Sequence, residues 1–490
     1  MKKKFTLTVL AFTCLMGMPL HAQTGLPPTA SKEIYDFKNF EDKKMLDLFY
    51  DAIKAGKMFP SEEDFVRIGI SKADLAFVRS HVRKHQILDR DGRLLTNTFK
   101  DRNLWMNTPM GSGNGGDAGY PSSVFSSDVF SLWNYTNLWG SWNHGIFQAP
   151  GAWVDAAHKN GTDMMTGIKF FDTTGGRGQT ADVYKEMITT KDVTGYDGFK
   201  YVKPFIHLLL FLGHDGININ WEDGSPSDND VVKFHQALYK YANSIGFNNF
   251  HMGLYTMSSS LSNYNSRYLF GDSNGRTADL MLNYGGWDMG TSVQEAKKAL
   301  GTADGLYQGY WISGMNHSWS NLSATQEIGI CLWGEHKMSR FWQHNKGTDA
   351  FDAQKNYQYL LERAFSGGNR NPMNLPAVTN QGHNWEAQTP LSNFPGFATW
   401  IPERSTVQGK LPFVTNFNLG NGERYNYKGK KTAGSYYNMS SQDIVPTYRW
   451  LVCDEGTTTA SSAIEVGFSH KDSYIGGSCL ELKGDATKAT

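Results

Sequence analysis

From Phe125 the chain alternates short apolar runs with amphipathic ones, and this alternation restricts its fold more than any other feature. Met164 to Phe171 reads as a strand, and Ala181 to Thr189 and Phe199 to Leu212 as helices. Residues 217 to 222 read as a strand and Asp228 to Ile245 as a helix. Phe250 to Met257 and Ala278 to Trp287 read as strands. Thr291 to Leu300 is helical, Gly305 to Ser313 and Glu327 to Trp333 are strands, and Ala350 to Phe365 is helical. Strands alternating with helices build a parallel sheet covered on its outside. The units have the length expected of a closed barrel, so the predicted class is α/β, a (β/α)8 TIM-type barrel.

The flanks differ in texture. Residues 1–22 read as a signal peptide: Lys2, Lys3 and Lys4, an apolar stretch, then Leu20-His21-Ala22 before Gln23. This predicts export to periplasm, cell surface or medium. Residues 23–118 form an N-terminal helical region and a Gly-rich linker. Ser61 with Asp64 and Ser71 with Asp74 fit the capping-box spacing that starts a helix. Residues 119–425 are the predicted barrel. Residues 426–490 are β-rich, with expected strands at 447–452, 463–468 and 479–482, too few to close a sandwich alone.

Composition removes several functions. Lys+Arg and Asp+Glu both number 47, so no basic excess points to nucleic acid. No later run is long and apolar enough to span a bilayer. Cys331, Cys453 and Cys479 are not a disulfide framework, although Cys453 and Cys479 could pair across neighbouring strands while Cys331 reads as a core thiol. No zinc motif is present and no cofactor is implied. The acidic stretch Asp223 to Asp230 reads as a helix start with an Asp cap, with a calcium loop as the other reading. Aromatic residues make up 13% of the chain, and their faces suit either a large core or sugar stacking.

The stretch Gly213-His-Asp-Gly-Ile-Asn-Ile-Asn-Trp-Glu-Asp223 carries the chemistry. As a strand it points Ile217, Ile219 and Trp221 one way and Asn218, Asn220 and Glu222 the other. Near the C-terminal end of a barrel strand the polar face meets the mouth, where active sites sit. Glycoside hydrolysis needs a proton donor for the leaving oxygen and a group that stabilises charge at the anomeric carbon. A substrate's own 2-acetamido oxygen can act as nucleophile if a residue holds its N–H, and an Asn oxygen can do so. Spacing alone leaves another reading open, that of polar side chains hydrogen-bonded inside a barrel.

The segment Asp215-Gly-Ile-Asn-Ile-Asn220-Trp-Glu222 resembles the Asp-Gly-x-x-x-Asn-x-Glu signature of family 85 glycoside hydrolases, the endo-β-N-acetylglucosaminidases. Ser131 to Gly140 resembles the family's aromatic first strand, Trp153 to Gly161 its "AHxxG" helix, and Leu282 to Trp287 its "NYxW" segment. Stretches at 414–422, 441–450 and 474–482 resemble the end of its barrel and the opening of its sandwich. The resemblance implies cleavage between the two GlcNAc residues of the N-glycan core with retention, on N-linked glycans or glycoproteins. It implies Asn220 as the amide-orienting residue and Glu222 as acid/base. Tyr255 would reach the acetamido pocket, although Leu254 and Thr256 depart from the family's "WYD". Asn283, Tyr284 and Trp287 would line the reacting sugar, with Trp311, Trp333 and Glu335 as further subsite candidates. A family 18-like enzyme on chitin is an alternative, but Asn218 and Asn220 stand where that family has Asp. A silent glycan-binding barrel is the third reading.

Overall fold

The computed structural model describes residues 41–88, 102–108, 129–140, 149–169, 179–221, 228–282, 289–311, 327–333, 396–407, 412–448 and 450–484 (without 460 and 462), with single positions at 125, 325, 352, 358, 361, 362 and 365. Among the described residues three helices come first: α1 (Asp42–Lys54), α2 (Glu62–Arg67) and α3 (Lys72–Val78). Both capping boxes form, with Ser61 and Ser71 each accepting from the backbone N–H three residues on. Then follow β1 (Leu104–Asn107), β2 (Leu138–Gly140), α4 (Gly151–Lys159), β3 (Asp163–Lys169), α5 (Gln179–Thr189), β4 (Lys191–Tyr196), α6 (Val202–Leu212), β5 (Gly216–Trp221), α7 (Asn229–Ser244) and β6 (His251–Thr256). A short α8 (Ser266–Leu269) and the two-residue strands β7 (Gly271–Asp272) and β8 (Gly275–Arg276) precede β9 (Asp279–Leu282), α9 (Met289–Leu300), β10 (Leu306–Trp311) and β11 (Gly329–Trp333).

Eight of these strands close a parallel barrel in the order β1-β11-β10-β9-β6-β5-β3-β2. The barrel expected from sequence is therefore present, but its first strand is Leu104–Asn107, upstream of the expected start at 119. This four-residue strand precedes the Gly-rich stretch at 111–116 and is too short to show a period, which hid it in the sequence pattern. The aromatic segment 131–140 supplies the second strand, after a 3-10 turn at Trp133–Tyr135.

Alternation explains the packing. Ile217, Ile219 and Trp221 of β5 join the layer between barrel and helices. Trp105, Leu138, Met165, Met281, Tyr307 and Cys331 fill the interior. Glycines make room for them: a Cβ at Gly140 would lie 2.7 Å from Trp105 Nε1, and one at Gly253 2.8 Å from Met165 Cε. Large and small residues thus interdigitate across the barrel. Helix α6 is buried nearly all round, and Gly213 ends it at φ +85°, the left-handed cap that turns the chain into β5. Asp228 caps α7, accepting from the Asp230 N–H at 2.7 Å, in line with the helix-start reading.

The N-terminal helices are part of the barrel's core. Phe65 stacks on Phe211 of α6 at 5.1 Å, Phe49 meets it edge-on, and the Arg79 guanidinium lies 3.9 Å from the same ring. Residues 79–88 then cross the N-terminal end of the barrel. The Ser80 N–H donates to Leu212 O, the His85 N–H to His158 O and the Leu88 N–H to Ser405 O, each at 2.9 Å.

The described residues of the C-terminal segment carry three small antiparallel sheets: Asn421–Gly422 with Tyr436–Tyr437, Tyr425–Tyr427 with Lys430–Ala433 and Ile475–Gly476, and Ile464–Ser469 with Cys479–Gly484. It packs on α4: Trp153 Nε1 donates to Tyr437 Oη at 2.8 Å, and buried Lys159 donates to Ser440 O and Gln442 O. The strand expected at 447–452 does not form; Tyr448 instead buries its ring and donates its hydroxyl to Ser131 O at 2.8 Å. Cys453 and Cys479 are unpaired, correcting the suggested bridge, since Cys479 stands opposite Ser469. Cys331 is buried in the barrel interior.

Candidate functional site

The signature stretch spans the barrel from end to end. Asp215 precedes β5 at the N-terminal end. Its Oδ2 accepts from His158 Nε2 and from the Met164 N–H, both at 2.8 Å, and its Oδ1 from Asn249 Nδ2 at 2.7 Å. The other nitrogen of His158 lies 2.7 Å from Val82 O. Both ring partners are acceptors, so both nitrogens must donate and the ring is an imidazolium. Burial opposes that charge, but the Asp215 carboxylate outweighs it and the pKa of His158 is raised.

The same end holds a second relay. His251 bridges Asp279 at 2.9 Å and Asp163 at 3.3 Å, and Asp163 also pairs with Lys84. Despite burial, hydrogen bonds to the two carboxylates push His251 up to about 10. Burial works the other way at His214, beside His158, pushing it down to about 3. Asp215 and His158, part of the signature and of the "AHxxG" helix, thus serve the barrel's structure rather than its chemistry.

The C-terminal end is different. There Asn107, Gly140, Asn220, Tyr255 and Trp333 lie near the ends of β1, β2, β5, β6 and β11, with Asn107 opposite both Gly140 and Trp333 in register and Asn220 opposite Tyr255. Asn220 is 4% exposed, and its amide oxygen has no hydrogen-bond partner among the described residues. Such a group costs about 1–3 kcal/mol if nothing meets it, so it marks a place built for a donor. Tyr255 and Trp333 are partly buried and stack at 6.5 Å between ring centroids, inclined by 29°. Two residues before Asn220, Asn218 Nδ2 donates to Asn107 Oδ1 at 2.8 Å.

Asn220, Tyr255 and Trp333 are thus brought to one mouth. Trp311 stands opposite Trp333 in register at the same end. Glu222, Asn283, Tyr284, Trp287 and Glu335 lie outside the described residues, as does the side chain of Trp311. The sequence reading missed Asn107, because its strand was assigned to the linker region. Among the described residues no group of three His, Cys, Asp or Glu side chains is placed to hold a metal ion, and no helix is long and apolar enough to cross a membrane.

A family model described as glycosyl hydrolase family 85 matches residues 116–425, well over half of the chain. The chain belongs to glycosyl hydrolase family 85. No curated protein matches it. Among solved structures, the glycoside hydrolase domain of Endo-D from Streptococcus pneumoniae R6 is similar with a TM-score of 0.64 and 19% identity, over 84% of this chain. At that identity the likeness is one of fold, and this family 85 chain spans 64% of the length of that structure. A structure described as a candidate alpha amylase from Salmonella typhimurium reaches a TM-score of 0.22 at 10% identity over 42% of each chain, too low to bear on the fold.

The departures from the family's "WYD" segment fall away from the mouth. Leu254 faces the helices and is fully buried among them, while Tyr255, the residue retained, points inward. Thr256 is buried and accepts from the Ser258 N–H at 3.1 Å, holding the turn after β6. Neither substitution removes a group from the interior face of β6.

Proposed function

We propose that this family 85 chain is an endo-β-N-acetylglucosaminidase that hydrolyses the GlcNAc-β1,4-GlcNAc bond in the core of N-linked glycans with retention. The observation that carries the reading is the buried amide oxygen of Asn220 near the C-terminal end of β5, which has no partner among the described residues. It suits a substrate amide N–H better than it suits water.

In this mechanism the acetamido carbonyl oxygen attacks C1 as the C1–O4 bond breaks. Glu222 delivers its proton to O4, and the first sugar becomes a cyclic oxazolinium. Asn220 Oδ1 accepts the amide N–H, whose acidity rises as positive charge spreads over the ring. Glu222, now a carboxylate, takes a proton from water, which attacks C1 and reopens the ring. Two inversions at C1 give retention. Tyr255 and Trp333 offer aromatic faces to the sugars, and Asn283, Tyr284 and Trp287 complete the site by position in the sequence. Residues 1–22 would direct the protein out of the cytoplasm to meet glycoproteins.

The test is mass spectrometry of a high-mannose glycopeptide incubated with the protein. The expected product is peptide carrying a single GlcNAc, with turnover lost in Glu222→Gln. Chitobiose released from chitin oligomers would favour a family 18-like activity instead. Glycan binding without cleavage would show a silent barrel.

A further inference from the structure

Beneath Asn220 lies a bond that the reaction itself does not use. Asn218 of β5 and Asn107 of β1 are each 1% exposed, and the 2.8 Å contact between their amides crosses the barrel interior. Two strands, β2 and β3, separate them around the wall. The space between is kept clear by Gly140, where a Cβ would sit 3.2 Å from Asn218 Cβ and 2.7 Å from Trp105 Nε1. Asn107 is further fixed by its own amide nitrogen, 3.7 Å from Met281 Sδ.

The register gives this bond its consequence. Asn107 is opposite Trp333, on one wall of the mouth. Asn218 is two residues before Asn220, which is opposite Tyr255 on the other wall. Two residues along a strand are about 6.6 Å, so a tilt of β5 at Asn218 is carried directly to Asn220. We propose that Asn107 and Asn218 form a cross-barrel clamp that positions Asn220 and Tyr255 against Trp333 and so sets the width of the sugar site. They are positioning residues, acting through Asn220. The inference rests on the proposed substrate-assisted reading, which makes Asn220 the group whose placement matters. Misplacement of a reacting group by about 1 Å can cost on the order of 100-fold in rate.

The test uses the thiazoline analogue of N-acetylglucosamine, a stable mimic of the oxazolinium, titrated calorimetrically into the full-length protein. Asn218→Leu and Asn107→Ala, each verified as folded by circular dichroism, should bind it at least tenfold more weakly. Asn218→Asp at pH 5, where a buried carboxyl is protonated and can still donate to Asn107, should recover binding to within about threefold of wild type. A loss of stability alone would leave binding by the folded fraction unchanged. Folded Asn218→Leu or Asn107→Ala binding within twofold of wild type overturns the clamp, and so does a wild-type protein that does not bind the thiazoline. Should Asn218→Leu not fold, Asn107→Ala, which only trims the partner, decides. Wild type that binds the thiazoline but leaves the glycopeptide uncut would refute the N-glycan activity while the clamp is judged on the variants.

Discussion

At the N-terminal end of the barrel, Asp163, Asp215, His251 and Asp279 stand at or just before the first residues of four strands, and each has a partner of opposite charge. At the C-terminal end, the described residues Asn107, Asn220, Tyr255 and Trp333 are uncharged, and Asn220 keeps a buried acceptor that meets no donor among the described residues. One strand, β5, connects the two ends within six residues. A buried charge network with every member paired specifies structure, because any vacancy in it is costly. A buried polar atom left unpaired costs stability unless something else meets it. The same signature thus holds a structural residue at its start and the proposed catalytic pair at its end.

The comparison breaks most visibly at Asp215. Asp215→Ala takes the carboxylate from the His158 imidazolium and the acceptor from the Met164 N–H, and leaves the Asn249 amide with Asp163 alone. Loss of one partner from a buried pair costs about 3–5 kcal/mol. Denaturant unfolding should show that loss, while kcat of the remaining folded enzyme changes less than about threefold. A large fall in kcat with unchanged stability would place Asp215 in the chemistry and erase the contrast between the ends.

Asn220→Ala is the complementary experiment. It removes an acceptor that no described group uses in the free protein. Stability should change by less than about 1 kcal/mol, while kcat on the glycopeptide falls about 100- to 1000-fold, as for loss of one preorganised electrostatic contact. A variant that loses several kcal/mol of stability would mean that Asn220 has a structural partner instead.

The barrel and its helices were readable because period 2 and period 3.6 recur through the central 240 or so residues of a single repeating design. Strand β1 was not, since Leu104, Trp105, Met106 and Asn107 ahead of a Gly-rich stretch carry too little pattern to distinguish strand from linker. Asn220 was legible from alternation together with the resemblance. Its contrast with Asp215 was not, because alternation assigns a face and says nothing of depth along the strand. Asp163, His251 and Asp279 were invisible as a group, being far apart in sequence and joined only when their strands start at one level. The strand expected at 447–452 failed for a similar reason: its alternation reflects Tyr448 reaching into the core shared with the barrel, not a ladder partner.

Charge at the N-terminal end also predicts a pH dependence. The folded pKa of His251 is raised to about 10, so its stabilising contribution is fully present below its unfolded value of about 6.5 and is lost as pH rises through about 10. Asp163 has a lowered pKa, so its contribution is lost on the acid side, as pH falls below the usual carboxylate range. The side chain of His251 is 24% exposed, and solvent screening limits its share to about 2 kcal/mol. Unfolding free energy measured from pH 7 to pH 10 should fall by about that amount, and His251→Gln should flatten the decline. An equally steep decline in the variant would assign the alkaline limb to other groups.

The smallest effect is expected where the N-terminal helices approach that charged end. Ser71 Oγ accepts from the Asp74 N–H at 3.1 Å, and Asp74 Oδ2 accepts from the Ser71 N–H at 2.7 Å, so two orphan donors at the start of α3 are met reciprocally. Helix α3 leads directly into residues 79–88, which carry Lys84 to Asp163 and Val82 to His158. Ser71→Ala should cost about 1 kcal/mol, and hydrogen exchange in residues 79–88 should quicken if α3 and the crossing segment open as one unit. Activity should not move, because the cap lies at the end of the barrel that the chemistry does not use. Stability lowered without faster exchange at 79–88 would separate the helices from the segment that closes the barrel, and would restrict the structural role of the N-terminal end to the strand starts themselves.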